Sequence, residues 1–218
     1  MRRPLIEAYV ETAEQASAAV AAGADRIELC GPGEGGLTPD VATLDLVRTG
    51  SSVPIHAMIR PRSGNFIYDA HELEQMRAAI AHARGAGVAG VVFGVLRGDA
   101  TLDADRMAEL TDLARPMRVV CHRAFDATPR ADAALDALLS VGVDGVLTSG
   151  HAPTAAEGAA LIARHVVRAG TRLEVIAGGT VRAENVRALV EATGVHAVHA
   201  CATGPAVLPA LVTALGRR

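Results

Sequence analysis

The sequence predicts an α/β fold of the (β/α)8 TIM-barrel type, and three observations predict it. Short apolar runs alternate with segments of helical period eight times along the chain. No linker, low-complexity tract or shift of composition interrupts that alternation. The length of 218 residues, 50% of them hydrophobic, suffices for one large core but not for two comfortable α/β domains, so a single domain over residues 1–218 is expected. Strands that alternate with helices pair in parallel, and eight such units close most naturally into a barrel at the short end of the usual size. An open, doubly wound sheet is the alternative topology.

The first strand is the apolar stretch from Leu5 to Tyr9 around Glu7, and Thr12 to Ala22 then carries alanine and valine at helical spacing until Gly23. Asp25 to Leu29 is the second strand. Val41 to Val47 is its helix, with Thr38-Pro39 read as N-cap and first-turn proline. Pro54 to Ile59 and Glu72 to Gly87 form the third unit, separated by a long non-helical insertion from Arg60 to Ala70. Ala89 to Leu96 with Ala104 to Ala114, Met117 to His122 with Asp132 to Val141, and Asp144 to Thr148 with Thr154 to Ala169 continue the series. Arg172 to Ala177 with Ala183 to Ala192, and His196 to His199 with Ala206 to Leu215, complete it.

Composition removes several classes of function. A formal charge of −3, a pI near 6.2 and 2% aromatic residues offer neither the field nor the stacking platforms that nucleic acid needs. No apolar run reaches the ~20 residues of a membrane span, and no signal-peptide core precedes the first strand, so a cytoplasmic protein is expected. The three cysteines lack CxxC spacing and read as free thiols. All 21 basic residues are arginine. Without lysine there is no Schiff-base chemistry and no pyridoxal enzyme of the usual kind.

Ligands of barrel enzymes bind beyond the carboxyl ends of the strands, so polar residues there are candidates for function. The clearest tip is Cys121-His122-Arg123-Ala124-Phe125-Asp126. The spacing of His122 and Asp126 lets the carboxylate turn back and orient the imidazole as a general acid or base. A loop histidine that merely holds the Phe125 turn is the structural counterpart. Glu7 and Glu28 lie inside mostly apolar strands, where a charge is costly unless paired, and both join the catalytic candidates. A buried ion pair of Glu28 with Arg60 or Arg62 is the structural alternative. Arg60, Arg62 and Arg123 suit a fork-like receptor for carboxylate or phosphate. Ser149, His199 and the glycines Gly178 and Gly179 complete the anion-binding candidates, and Thr203-Gly204-Pro205 is a second glycine turn placed for phosphate. His71, His82, His151 and His165 read as surface residues.

Five longer motifs run in order over nearly the whole chain: Gly23-Ala24-Asp25-Arg26-Ile27-Glu28-Leu29-Cys30, Glu34-Gly35-Gly36-Leu37-Thr38-Pro39, Ile59-Arg60-Pro61-Arg62-Ser63-Gly64-Asn65-Phe66, His122-Arg123-Ala124-Phe125-Asp126 and Leu147-Thr148-Ser149-Gly150. Together they resemble the CutC family, named for copper homeostasis. The resemblance implies a (β/α)8 barrel, a cytoplasmic location, homo-oligomers of two or more chains, and copper as a ligand. Cu(I) prefers thiolate and thioether, which here means Cys30 and Cys201, with Cys121, Met58 and His199 as further donors. In a closed barrel Cys30 and Cys201 stand two strand spacings apart, roughly 10 Å between backbones. Two classes of function follow: a copper-binding barrel, or an acid/base enzyme acting on a small anionic or phosphorylated metabolite at the barrel mouth.

Overall fold

The computed structural model describes residues 3–204 and 206–216. Met1, Arg2, Pro205, Arg217 and Arg218 lie outside the described residues. The first four units are β1 Leu5–Val10 with α1 Ala13–Ala21, β2 Arg26–Leu29 with α2 Val41–Gly50, β3 Ile55–Met58 with α3 Ala70–Ala86, and β4 Gly90–Phe93 with α4 Ala104–Ala114. Then come β5 Arg118–Cys121 with α5 Ala131–Val141, β6 Gly145–Thr148 with α6 Ala159–Ala169, β7 Glu174–Ala177 with α7 Ala183–Thr193, and β8 Ala197–Cys201 with α8 Val207–Ala214. The strands pair in parallel in sequence order, and β8 closes on β1, which makes a (β/α)8 barrel rather than the open sheet.

The helices begin and end where side chains satisfy their free backbone groups. Thr12, Asp69 and Asp103 each accept a backbone N–H of the first turn, and Asp69 with Glu72 forms a full capping box for α3. The cap of α2 is Asp40, which accepts from Thr43 N–H, and not Thr38. Thr38 is occupied elsewhere, since its hydroxyl and its N–H bridge to the backbone of Arg60.

Two layers of packing follow from the period of the strands. Outward-facing residues such as Ile27, Leu29, Val91, Val119 and Cys121 meet the helices in the main core. The inner face holds a smaller apolar cluster of Cys30, Met58, Val92, Val120, Leu147, Ile176 and Ala197. Above the lower rim, where Arg118 of β5 and Glu174 of β7 also face inward, the charged inner positions fall on one side. Glu7, Arg26, Glu28, His56 and His199 come from β1, β2, β3 and β8, whereas β4 to β7 contribute only apolar residues at that depth.

His165 corrects the surface assignment. It is fully buried, because α6 presents Ile162, His165 and Ala169 on its inner face, and its ring stands edge-on to Phe125. His151 is half-buried against the same phenylalanine, His82 is half-buried, and His71 is exposed.

Candidate functional site at the barrel mouth

A cavity of 730 Å3 opens at the carboxyl ends of the strands. Glu28, Arg60, His122, Arg123, Gly178, Gly179, His199 and Cys201, all singled out above, lie on its wall. Glu7, Asp126, Ser149 and Arg62 do not.

Glu7 sits one layer deeper, in a column of charges along the barrel axis. Its carboxylate pairs with Arg26 at 2.5 Å and accepts from His199 Nδ1 at 2.9 Å, with His56 Nδ1 3.6 Å away. Arg26 continues the column downward to Glu174 at 3.0 Å. At the upper end His199 Nε2 is 3.7 Å from Glu28 Oε2, and the Cys30 thiol donates to the same oxygen. Burial would raise Glu7, but Arg26 and the bonds to His199 and His56 hold its carboxyl well below the usual range. Burial pushes Glu28 up to about 7 against the pull of His199. Burial would also lower His199, yet Glu28 and the Glu7 bond outweigh it and raise the imidazole to about 9. At neutral pH the column therefore holds an ionised Glu7, a protonated His199 and a Glu28 poised between its two forms.

Glycine makes room for this arrangement at two places. A Cβ on Gly90 would meet the His56 ring at 2.5 Å, and one on Gly178 would stand 3.3 Å from His199 Cβ and 2.5 Å from a methyl of Leu147. Either contact would push an imidazole out of line.

His122 and Asp126 do not form the dyad that their spacing suggested. Asp126 accepts from Thr148 Oγ1, from the backbone N–H groups of Ser149 and His151, and from Arg123 Nε. It ties the β5 tip to the β6 tip and aims Arg123, whose other nitrogen donates to Ser149 Oγ. His122 Nδ1 instead accepts from the backbone N–H of Ala124 at 3.2 Å. Burial, followed by the charge of Arg60, pushes its pKa down to about 3. The pairing of His122 with Asp126 is thus corrected, since the carboxylate is held by the β6 tip and the imidazole by the Ala124 backbone.

The arginines divide in the same way. Arg62 lies off the cavity wall with its donors engaged by Glu72, the carbonyls of Ser63, Asn65 and Ile67, and the Asn65 side chain. It locks the loop that precedes α3. Arg60 spends its terminal nitrogens on the carbonyls of Glu34 and Gly64, while its Nε has no partner. Arg123 stands at the rim, joined there by Arg182, which sequence reasoning missed although it follows the Gly178-Gly179-Thr180 turn at the start of α7. Arg26 was missed as well. Its signal was the alternation Arg26-Glu28-Cys30, which places all three on one strand face.

The donor atoms of Glu7, Glu28 and His199 lie within 4.8 Å of one another, the three-donor group found among the described residues. These are oxygens and an imidazole, a hard to borderline set, and Arg26 and the His199 proton already balance its charge. The thiols do not join it. Cys121 faces the helices, Cys30 is buried with its thiol pushed well above the usual range by burial and by Glu28, and Cys201 is exposed at the rim. Of the soft donors only Cys121 is turned away from the others: Cys30 packs with Met58 on the inner face, and Cys201 shares the cavity wall with Met58 and His199.

The profile of the CutC family matches residues 4–204. The chain belongs to the CutC family. It is 45% identical over 199 residues to a CutC family protein of Mesorhizobium japonicum, covering 91% of this chain and 77% of that one. The human copper homeostasis protein cutC homolog is 41% identical over 199 residues, with 91% of this chain and 73% of the relative covered. Crystalline CutC from Streptococcus agalactiae superposes with a TM-score of 0.85 at 29% identity, over 90% of this chain and 97% of that chain. No helix among the described residues is long and apolar enough to cross a membrane.

Proposed function

We propose that this CutC family member serves copper homeostasis, the role in the names of its relatives, by acting on a small anionic molecule in the barrel mouth rather than by storing copper on thiols. The observation that carries this reading is Glu28, a buried carboxyl raised to about 7 on the wall of the cavity, 3.7 Å from a protonated His199. A carboxylate poised near the working pH is what proton transfer requires, and perturbed pairs of this kind cluster at functional sites. Glu7 acts through His199, holding its Nδ1–H and so presenting Nε2 to Glu28 and the cavity. Arg123 and Arg182 at the rim, with the backbone of Gly179, give the mouth its attraction for anions, while the Gly178 N–H is spent on the Thr148 carbonyl. The protein acts in the cytoplasm as a homo-oligomer, without nucleic acid or membrane as a partner.

Direct Cu(I) binding is the second reading, favoured by the presence of Met58, His199 and Cys201 on the same cavity wall. Competitive Cu(I) titration under reducing conditions, on the wild type and on Cys30→Ser and Cys201→Ser, separates the two. Weak copper binding that neither substitution changes is the expected result, together with stabilisation of the fold by small anionic metabolites in a thermal-shift screen. Tight stoichiometric copper that is lost in either serine variant would reverse the order of the two readings.

A further inference from the structure

Glu28 and His199 stand side by side on the cavity wall, yet they do not hydrogen-bond. His199 Nε2 lies 3.7 Å from Glu28 Oε2, whereas a charge-assisted N–H···O bond closes to about 2.7–2.9 Å. The other carboxyl oxygen, Oε1, is buried and has no partner. His56 Nδ1 is buried and unpartnered too, 3.6 Å from Glu7 Oε2. Buried polar atoms are paired in the great majority, so open spacings and orphans within one group call for a common explanation.

The spacing suits an ion. Two donors on a tetrahedral zinc, with bonds of about 2.0–2.2 Å, lie roughly 3.3–3.5 Å apart, so Glu28 and His199 need only a slight approach to hold one between them. Their supports are those of a ligand pair. Glu7 accepts from His199 Nδ1 at 2.9 Å, which keeps a proton on that nitrogen and turns Nε2 towards Glu28, the carboxylate–histidine arrangement that orients a metal-binding imidazole. The Cys30 thiol donates to Glu28 Oε2 and leaves Oε1 free. Both Glu28 and His199 border the cavity, which supplies an entry path and water for the remaining positions.

We propose that Glu28 and His199 Nε2 form a site for a divalent cation of the borderline class, Zn2+ being its simplest member, with Glu7 as the positioning carboxylate. Imidazole and carboxylate are donors that such ions take, whereas Cu(I) seeks sulfur. The donor atoms of all three residues fall within 4.8 Å of one another. The cation enters by exchange: Nε2 gives up its proton, because a ligand must offer its lone pair, and the cation takes the proton's place. Arg26 does not occupy that place, since it pairs with Glu7 and Glu174 one layer below. The exchange adds a positive charge to the wall, which an anion in the cavity balances. The site goes beyond the proton-transfer reading and rests on it in one respect only: a Glu28 that holds a cation cannot accept a proton, so the cation regulates the chemistry of the mouth.

The test titrates Zn2+ into the wild type, Glu28→Gln, His199→Gln and Cys201→Ser, and records zinc X-ray absorption and nitrogen-15 NMR of the imidazoles on the wild type. One Zn2+ per chain is expected, with affinity reduced roughly tenfold or more in Glu28→Gln and His199→Gln and unchanged in Cys201→Ser. The absorption spectrum should show oxygen and nitrogen at about 2.0–2.2 Å and no sulfur near about 2.3 Å, and the His199 resonances a proton on Nδ1 with Nε2 bound to the metal. No binding by the wild type, wild-type affinity in either ligand variant, loss of binding in Cys201→Ser, a sulfur shell, or a proton retained on Nε2 would each overturn the proposal. Should a variant fail to fold, the wild-type absorption and nitrogen spectra decide. Stabilisation by anionic metabolites without zinc binding would sink this site alone, and zinc binding without such stabilisation would sink the reading of the mouth alone, so the two failures are distinguishable.

Discussion

Gly90→Ala places a single methyl group against the charged column, and the structure gives its sign. Gly90 has no positive φ, so alanine fits the backbone and, on unfolded-state entropy alone, would stabilise by about 0.4–1 kcal/mol. Its Cβ, however, would stand 2.5 Å from His56 Cδ2, 2.7 Å from Nε2 and 3.0 Å from the Arg118 carbonyl. His56 is 1% exposed and lies beneath Glu28 and beside Glu7, so the ring has no solvent to retreat into. Overpacking of this kind costs about 1–3 kcal/mol and outweighs the entropy gain. The expected net loss is about 1–2 kcal/mol, or roughly 2–8 °C in melting temperature for a chain of this size. Urea unfolding of wild type, Gly90→Ala, His56→Ala and the double variant measures it as a cycle. In the double variant the methyl enters space the imidazole has left, so the coupling should be favourable by about 1 kcal/mol or more. Gly90→Ala that is neutral or stabilising, or a cycle with no coupling, would refute the steric reasoning.

Stability should fall as pH rises from about 7 to 9. Folding raises His199 to about 9, so the stability its charge confers is complete below its unfolded value and is lost as pH climbs through the folded one. Below about 7 the loss expected from Glu28, which burial raises to about 7, is opposed by His122 and His165, whose lowered pKa values make the acid side costly, so the fall is confined to the alkaline side and is on the order of 3 kcal/mol. Urea midpoints at pH 7 and 9 that are level or increasing would contradict this. Glu7→Gln leaves buried Arg26 without its closest carboxylate and should cost roughly 3–5 kcal/mol by calorimetry, while the His199 imidazole returns toward its ordinary pKa in NMR titration. Arg62→Ala should lower stability but leave the affinity for sulfate unchanged, whereas Arg123→Ala should weaken sulfate binding several-fold; isothermal titration of both decides whether the rim or the loop receives anions.

The barrel was legible because its signal is repetitive: eight apolar runs and eight helical periods need no long-range information, and α4 spans the residues that its period marked. Boundaries drifted where a side chain had a tertiary task, as with Thr38, which bridges to Arg60 and leaves capping to Asp40. The candidate site was legible in location and less so in wiring. Strand alternation brought Glu28, His199 and Arg60 to one wall, but the partner of a loop carboxylate such as Asp126 depends on how two strand tips meet, and no spacing within one tip records that. His165 shows the same limit from the other side. Its helical period with Ile162 and Ala169 announced burial, and the polarity of its side chain argued wrongly for the surface.

Above the lower rim, where Arg118 of β5 and Glu174 of β7 carry charge, the inner wall has its charges on β8, β1, β2 and β3 and aliphatic side chains on β4 to β7, which means that burial alone says little about which substitutions this barrel will accept. Leu147 and Ile176 are as deeply enclosed as Glu7, yet exchanges among aliphatics of similar volume leave every polar neighbour of theirs unchanged and usually cost less than about 1.5 kcal/mol. On the opposite arc each residue is a link between two others, so a change at one is felt two strands away. Tolerance to mutation in this fold should therefore vary with direction around the axis more steeply than with depth, and sequence drift within the interior should accumulate on one half of the circle while the other half moves, if at all, in concerted sets.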